Sequence, residues 1–239
     1  MEATVKEKVN IVLSDDQHEV VRAHLSVKDF GNDKKFVVSY PQTINEKKLF
    51  LLVKRLFDIA LSVCCILLFL IPAIIISVCV ALTSKGPVIY SQKRLGKNGT
   101  EFDIYKFRTM VSDAEKDGAV WARKDDDRVT PIGAILRKTH LDEIPQFWNI
   151  LKGDMSFVGP RPEREVFYDK FDEYIVGFRN RLLVKPGLTG WAQINGGYEL
   201  KPEEKVAWDI EYIEKQSFAI DLKCIFNTYK LLFGDKQAR

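Results

Sequence analysis

The densest cluster of groups able to do chemistry runs from Arg137 to Arg161. It holds Arg137, Asp142, Glu143, Asp154 and Arg161, with glycines at 153 and 159. Adjacent carboxylates at a predicted helix start point to phosphate chemistry. A helix N-terminus offers unpaired N–H groups and partial positive charge, a natural seat for a phosphate. A carboxylate kept ionised beside that seat can attack phosphorus or hold Mg²⁺. Arg137 and Arg161 are of the type that grips phosphate oxygens in pairs and absorbs charge during transfer. Spacing alone also fits a plain role, with Asp142 as a helix cap, Glu143 favourable to the helix dipole and the arginines solvated.

The elements that must position this cluster follow from local signals. Thr130-Pro131 predicts a helix start, with Thr130 as cap and Pro131 at the first helical position. Ile132, Ile135 and Leu136 line one face of it. Asp142 is expected to cap a second helix, with Pro145 in its first turn. Ile144, Phe147, Trp148 and Leu151 form the apolar stripe of that helix, and Gly153 ends it. Upstream, Val88-Ile89-Tyr90, a turn at Gly96-Lys97-Asn98-Gly99, and Phe102 to Phe107 predict a hairpin. Met110 to Asp127 reads as charged and irregular. Glu203 to Lys215 and Ile220 to Phe233 have helical spacing of large apolar residues, which suits amphipathic helices lying in a membrane interface. Trp208, Tyr212 and Tyr229 fit either that placement or ordinary core packing. Met1 to Lys48 is a mixed polar extension with short strand-like runs at Val9 to Leu13 and Phe36 to Tyr40.

Composition narrows the classes. Across 239 residues, 46% hydrophobic and 29% charged content looks soluble on average. That average hides Ile59 to Leu82, 24 residues without a charge. The net charge of +3 is too small and dispersed for a nucleic-acid binder. Met1 to Leu49 balances eight Lys/Arg against eight Asp/Glu, so the basic excess lies beside and beyond the apolar segment. An excess there suits anionic lipid heads or phosphorylated substrates. Cys64, Cys65, Cys79 and Cys224 match neither a zinc site nor a disulfide framework. The N-terminus has no charged-then-apolar signal pattern.

As one straight helix, Ile59 to Leu82 would be about 36 Å long, enough for a hydrocarbon core of about 30 Å. Pro72 near its middle removes a backbone bond and kinks the helix, leaving halves too short to cross alone. Lys47, Lys48, Lys54 and Arg55 precede the segment; Lys85, Lys93, Arg94 and Lys97 follow it. Equal positive flanks fit a segment that enters and leaves by one face. From the residues themselves, spanning and re-entrant readings both stand.

Five stretches then occur in order: Lys54 to Asp58 (KRLFD), Ile104 to Met110 (IYKFRTM), Leu141 to Gln146 (LDEIPQ), Leu151 to Pro162 (LKGDMSFVGPRP) and Lys185 to Gly196 (KPGLTGWAQING). Over about Lys48 to Phe233 they resemble the monotopic phosphoglycosyl transferases, the bacterial sugar transferase family. The resemblance implies an α+β, mainly helical fold. It would comprise a membrane-embedded monotopic domain with a re-entrant helix broken at Pro72, a short hairpin and interfacial helices. The implied division is an N-terminal extension over residues 1–47, a re-entrant region over 48–84 and a catalytic domain over 85–239.

The implied reaction is a two-step, Mg²⁺-assisted exchange. Asp142 attacks the β-phosphorus of a UDP-sugar and expels UMP. Undecaprenyl phosphate then takes the sugar phosphate from the aspartyl intermediate, the first membrane step of exopolysaccharide, capsule or glycan synthesis. Glu143 positions the metal or assists the lipid phosphate, Asp142 and Glu143 hold the metal, and Arg137 and Arg161 grip phosphates. The implied setting is the cytoplasmic face of the bacterial inner membrane, with a lipid bilayer and a second copy of the chain as further partners. Ile71 stands where many relatives have serine, whose hydroxyl can satisfy a carbonyl freed by the kink, so the break here needs another partner. Gly197 stands where many have arginine, a phosphate or sugar contact, so sugar identity does not carry over. Two rival functions are a UDP-sugar pyrophosphatase that uses water as acceptor and a non-catalytic scaffold of polysaccharide synthesis.

Overall fold

A computed structural model of the protein describes residues 15–30, 33–45, 48–111, 114, 126–196 and 200–233. The strand-like run Val9 to Leu13, most of Met110 to Asp127, Gly197, Tyr198 and both chain ends lie outside them. The described part of the N-terminal extension forms α1 (Asp15–His24), β1 (Leu25–Phe30) and β2 (Asp33–Val38). β1 and β2 are antiparallel, and β2 also pairs parallel with β6 (Ile175–Val176) through Phe36 and Val37. Val21, Leu25 and Val38 are buried in the main core, so this part is continuous with the rest of the molecule.

The expected hairpin forms as β3 (Ile89–Leu95) and β4 (Glu101–Phe107), turning at Lys97–Gly99. α4 (Pro131–Thr139) begins as expected: Thr130 Oγ1 accepts the Gly133 N–H at 3.0 Å, and Pro131 follows the cap. Gly133 lets α4 approach the end of the hairpin, since a Cβ there would lie 2.0 Å from the Thr109 carbonyl oxygen. After a 3-10 turn (Leu141–Glu143) comes α5 (Gln146–Lys152), which ends at Gly153 with φ 101°.

β5 (Ser156–Val158) pairs parallel with β7 (Gly187–Thr189), and α6 (Glu165–Asp172), α7 (Trp191–Ile194), α8 (Pro202–Lys215) and α9 (Phe218–Phe233) complete the body. The main core takes Phe102 and Ile104 from the hairpin, Ile150 from α5, Phe157 from β5, Tyr168 from α6 and Ile210 from α8. Each such side chain contributes about 1.5–3 kcal/mol by leaving water.

α8 corrects one expectation. Trp208 and Tyr212 are buried, as is every residue from Val206 to Ile213, so α8 is a core helix with no free apolar face. Its charges on the remaining faces find partners on other elements, which helical spacing alone does not register. α9 does keep an outer apolar stripe at Phe218, Leu222 and Phe226.

The apolar segment forms α2 (Lys48–Leu68) and α3 (Leu70–Thr83), bent by 60°. No single helix among the described residues is long and apolar enough to cross a membrane. The break falls at Phe69, three residues ahead of Pro72, which occupies the first turn of α3. The reason is steric: proline has no N–H, and its ring crowds the preceding turn, so the disruption appears upstream of the ring.

α2 is built inside out. Its buried residues are Phe50, Lys54, Asp58 and Ser62, one helical face with three polar members. Leu51, Leu56, Phe57, Val63 and Leu67 point outward, as do Ile71, Ile74, Ile75 and Val78 of α3. The inward charges are matched. Lys54 Nζ meets Asp221 Oδ2 at 2.5 Å, and Asp58 Oδ1 accepts Ser156 Oγ and the Phe157 N–H, each at 3.1 Å. Arg55 donates to the Ile150 and Leu151 carbonyls at 2.6 Å, capping the C-terminus of α5. The KRLFD stretch therefore fastens α2 to the body with its charges and leaves its hydrocarbon outside.

Candidate active site

Asp142 and Glu143 sit in the 3-10 turn between α4 and α5. His140 closes α4 in the left-handed conformation, φ 55°, and swings the chain into that turn. α5 starts at Gln146 behind Pro145, with no side-chain cap. Asp142 is thus not the cap of α5, as the sequence had led us to expect. It lies in the first turn of the helical run that leads into α5, where partial positive charge still favours an anion.

The two carboxylates have opposite surroundings. Glu143 Oε1 receives both Lys106 Nζ and Arg161 Nη2, each at 2.6 Å. Burial pushes the Glu143 carboxyl up, but Arg161 and Lys106 together outweigh it and hold it well below the usual carboxylate range. Asp142 is 7% exposed, and its carboxylate makes no hydrogen bond among the described residues. Burial pushes its carboxyl up to about 6; Lys106 opposes the rise and Glu143 adds to it. One acid is held as an ion by two cations, while its neighbour lies largely buried and without a hydrogen bond beside the same cations.

Arg161 contacts Glu143 directly, and Arg137 lies close enough for its charge to act on Asp142. Arg137 Nε donates to Thr109 Oγ1 at 2.9 Å. Asp154 does not join them. It pairs with Lys152 at 3.0 Å beyond the far end of α5.

Two members were not singled out from the sequence. Lys106 lies on β4, 37 positions before Glu143, and its partner becomes visible only when the hairpin packs on the turn. His140 faces the same groups. Burial lowers its imidazole; Glu143 pulls it up, and Arg161 and Lys106 pull it down again. Its signal in the sequence was weak, a histidine two places before the dyad in a position where glycine or asparagine would be usual.

Among the described residues, no three His, Cys, Asp or Glu side chains gather to hold a metal. Magnesium, however, is often held by one or two carboxylates together with substrate phosphates. Asp142, largely buried and without a hydrogen bond, fits such a ligand. The Glu143 oxygen is already taken by two cations, so it fits less well.

Residues 49–235 match the bacterial sugar transferase family, and the chain belongs to it. It is 41% identical over 190 residues to a UDP-N-acetylgalactosamine-undecaprenyl-phosphate N-acetylgalactosaminephosphotransferase of Aeromonas hydrophila, covering 78% of this chain and 45% of that protein. It is 41% identical over 192 residues to a UDP-glucose:undecaprenyl-phosphate glucose-1-phosphate transferase of Escherichia coli (strain K12), covering 78% of this chain and 41% of that protein. An uncharacterised sugar transferase of Bacillus subtilis (strain 168) is 38% identical over 183 residues, covering 75% of this chain and 87% of its own length. The chain therefore spans less than half the length of the first two relatives and most of the third.

Proposed function

We propose that this protein transfers a sugar 1-phosphate from a UDP-sugar to undecaprenyl phosphate through a covalent intermediate on Asp142. One observation carries the reading: a buried carboxylate without a hydrogen bond stands beside a second carboxylate already neutralised by Lys106 and Arg161. A carboxylate that no hydrogen bond ties down is available as a nucleophile. An Asp142 oxygen bonds to the β-phosphorus as the bond from that phosphorus to the bridging oxygen of UMP breaks, and UMP leaves with the electron pair. An oxygen of the acceptor phosphate then attacks the same phosphorus, the aspartyl–phosphorus bond breaks, and the carboxylate is restored. Arg161, Lys106 and Arg137 supply positive charge where phosphate oxygens gain negative charge. Magnesium, held by Asp142 with the donor phosphates, would add Lewis-acid stabilisation of those oxygens.

The membrane part of the reading is supported by α2 and α3. Helices with polar faces inward and apolar faces outward are unfavourable in water and suited to lipid. A bend of 60°, with basic residues on both flanks, fits entry and exit by one face, so that the site meets the acceptor phosphate at the cytoplasmic surface of the inner membrane. Relatives differ in the sugar their names state, N-acetylgalactosamine in one and glucose in another, so the donor is taken here as a UDP-hexose or its N-acetylated amine.

UMP release screened across UDP-sugars, with undecaprenyl phosphate and Mg²⁺, tests the assignment. Lipid-linked diphosphosugar forming with UMP supports it. Free sugar phosphate without lipid product makes water the acceptor, and no UMP with any donor leaves a non-catalytic role.

A further inference from the structure

The corner between α2 and α3 lies against the helix that follows the dyad. Phe69, the residue at the break, has its ring centroid 6.0 Å from that of Phe147, and Phe147 lies 6.0 Å from Phe157. Phe147 is on α5, four residues after Glu143, and Phe157 is on β5, four residues before Arg161. Leu141 and Ile144, which flank the dyad, pack on the cluster that contains Ile76 and Val80 of α3. The dyad is bracketed by contacts to the corner and to its far limb.

Backbone hydrogen bonds reach Phe69 from both sides, its N–H to the Cys65 carbonyl and the Ala73 N–H to its own carbonyl, each at 2.8 Å, but the ladder has a gap beside it. Pro72 has no N–H, so the Leu68 carbonyl loses its helical donor. Ile71, just before it, carries no hydroxyl and is 70% exposed. Side-chain packing adds to what holds the angle, and the Phe69–Phe147–Phe157 row is packing at that point. The row links the corner to α5, the helix that follows the dyad.

We propose that Phe147 is a positioning residue that sets the height of the dyad above the membrane corner, and thereby governs transfer to the lipid-anchored acceptor phosphate. The proposal rests on the function proposed above. The two substrates reach the site differently: a soluble donor follows the dyad wherever it sits, whereas an acceptor phosphate is held at the bilayer surface by its own tail. A displacement of about 1 Å, enough to cost up to about a hundredfold in a transfer step, is then felt by one half-reaction only.

The test uses the full chain in lipid nanodiscs and two readouts. Exchange of labelled UMP into UDP-sugar without acceptor reports the donor half-reaction; lipid-linked product reports the whole. Phe147→Ala is expected to lower transfer about tenfold or more while exchange stays within about twofold. Phe147→Leu is expected to recover part of the loss. Phe69→Ala is expected to mimic Phe147→Ala, with the double variant no worse than either single one. If Phe147→Ala does not accumulate, Phe147→Leu and Phe69→Ala supply the same comparison. Transfer and exchange falling together, transfer at the parent level, or additive losses in the double variant would overturn the proposal. A parent chain that exchanges no UMP overturns the functional assignment itself, and the proposal with it.

Discussion

Two of the groups of charges withdrawn from water among the described residues are built differently. Against α8, Arg181 and Asp209 face each other at 2.7 Å with side chains 4% and 2% exposed, one cation to one anion. Arg181 also lies over the Phe178 ring at 5.2 Å. At the dyad, two cations share one oxygen of Glu143, and Asp142 beside them has no hydrogen bond. The first group pairs a cation with an anion inside the core, with Lys205 and Glu163 acting on it from nearby, and leaves the Arg181 Nε without a hydrogen bond among the described residues. The second sets a carboxylate without a hydrogen bond beside two cations that share its neighbour, an arrangement that suits a site. Burial alone does not mark function; the imbalance of partners does.

The sharpest way to break this contrast is to neutralise the unbonded acid. Asp142→Asn should lower UMP release by on the order of 10³-fold or more, since the nucleophile is lost. Its thermal midpoint should equal or exceed that of the parent, because a buried charge without a hydrogen bond has been removed. A clear fall in the midpoint would move Asp142 into the structural class. Arg181→Met should do the opposite, costing about 3–5 kcal/mol in denaturant unfolding by stranding Asp209, with catalysis per folded molecule preserved. Adding Asp209→Leu should recover most of that stability.

Lys106→Met should lower turnover by about 10²-fold, the usual scale for one charge-stabilising donor, with Lys106→Arg retaining more. Parent-like UMP release from Lys106→Met would remove that residue from the site. The smallest effect is expected at an exposed network. Arg179, paired with Asp169 and Asp172 at the surface, should cost no more than about 1 kcal/mol on replacement by alanine. A larger loss would mean that exposed pairs here behave like buried ones.

Much of the frame was legible because it is local. The Thr130-Pro131 start, the Gly153 stop and the hairpin turn each depend on neighbours a few positions away. The dyad and its two arginines were legible as a dense run of charge. Lys106 was not, because strand spacing says which face a residue takes and not which turn 37 positions later will meet it. Burial of α8 on every side was hidden for the same reason: Asp209 and Glu211 look solvated until Arg181 and Trp191 are brought to them. Pro72 announced a break but not its place, since the steric effect of proline acts on the turn before it. The role of KRLFD as a polar fastening for an apolar helix needed Asp221, Ser156 and the end of α5 in view.

The central chemical step is bond formation between Asp142 and phosphorus. The full chain, incubated with Mg²⁺ and a UDP-sugar that supports UMP release, but without acceptor, can be quenched and its intact mass read. A gain equal to one sugar phosphate, mapped to the peptide carrying Asp142 and absent in Asp142→Asn, is the expected result. An enzyme that turns over with acceptor yet never carries that mass, or carries it on another side chain, would contradict it.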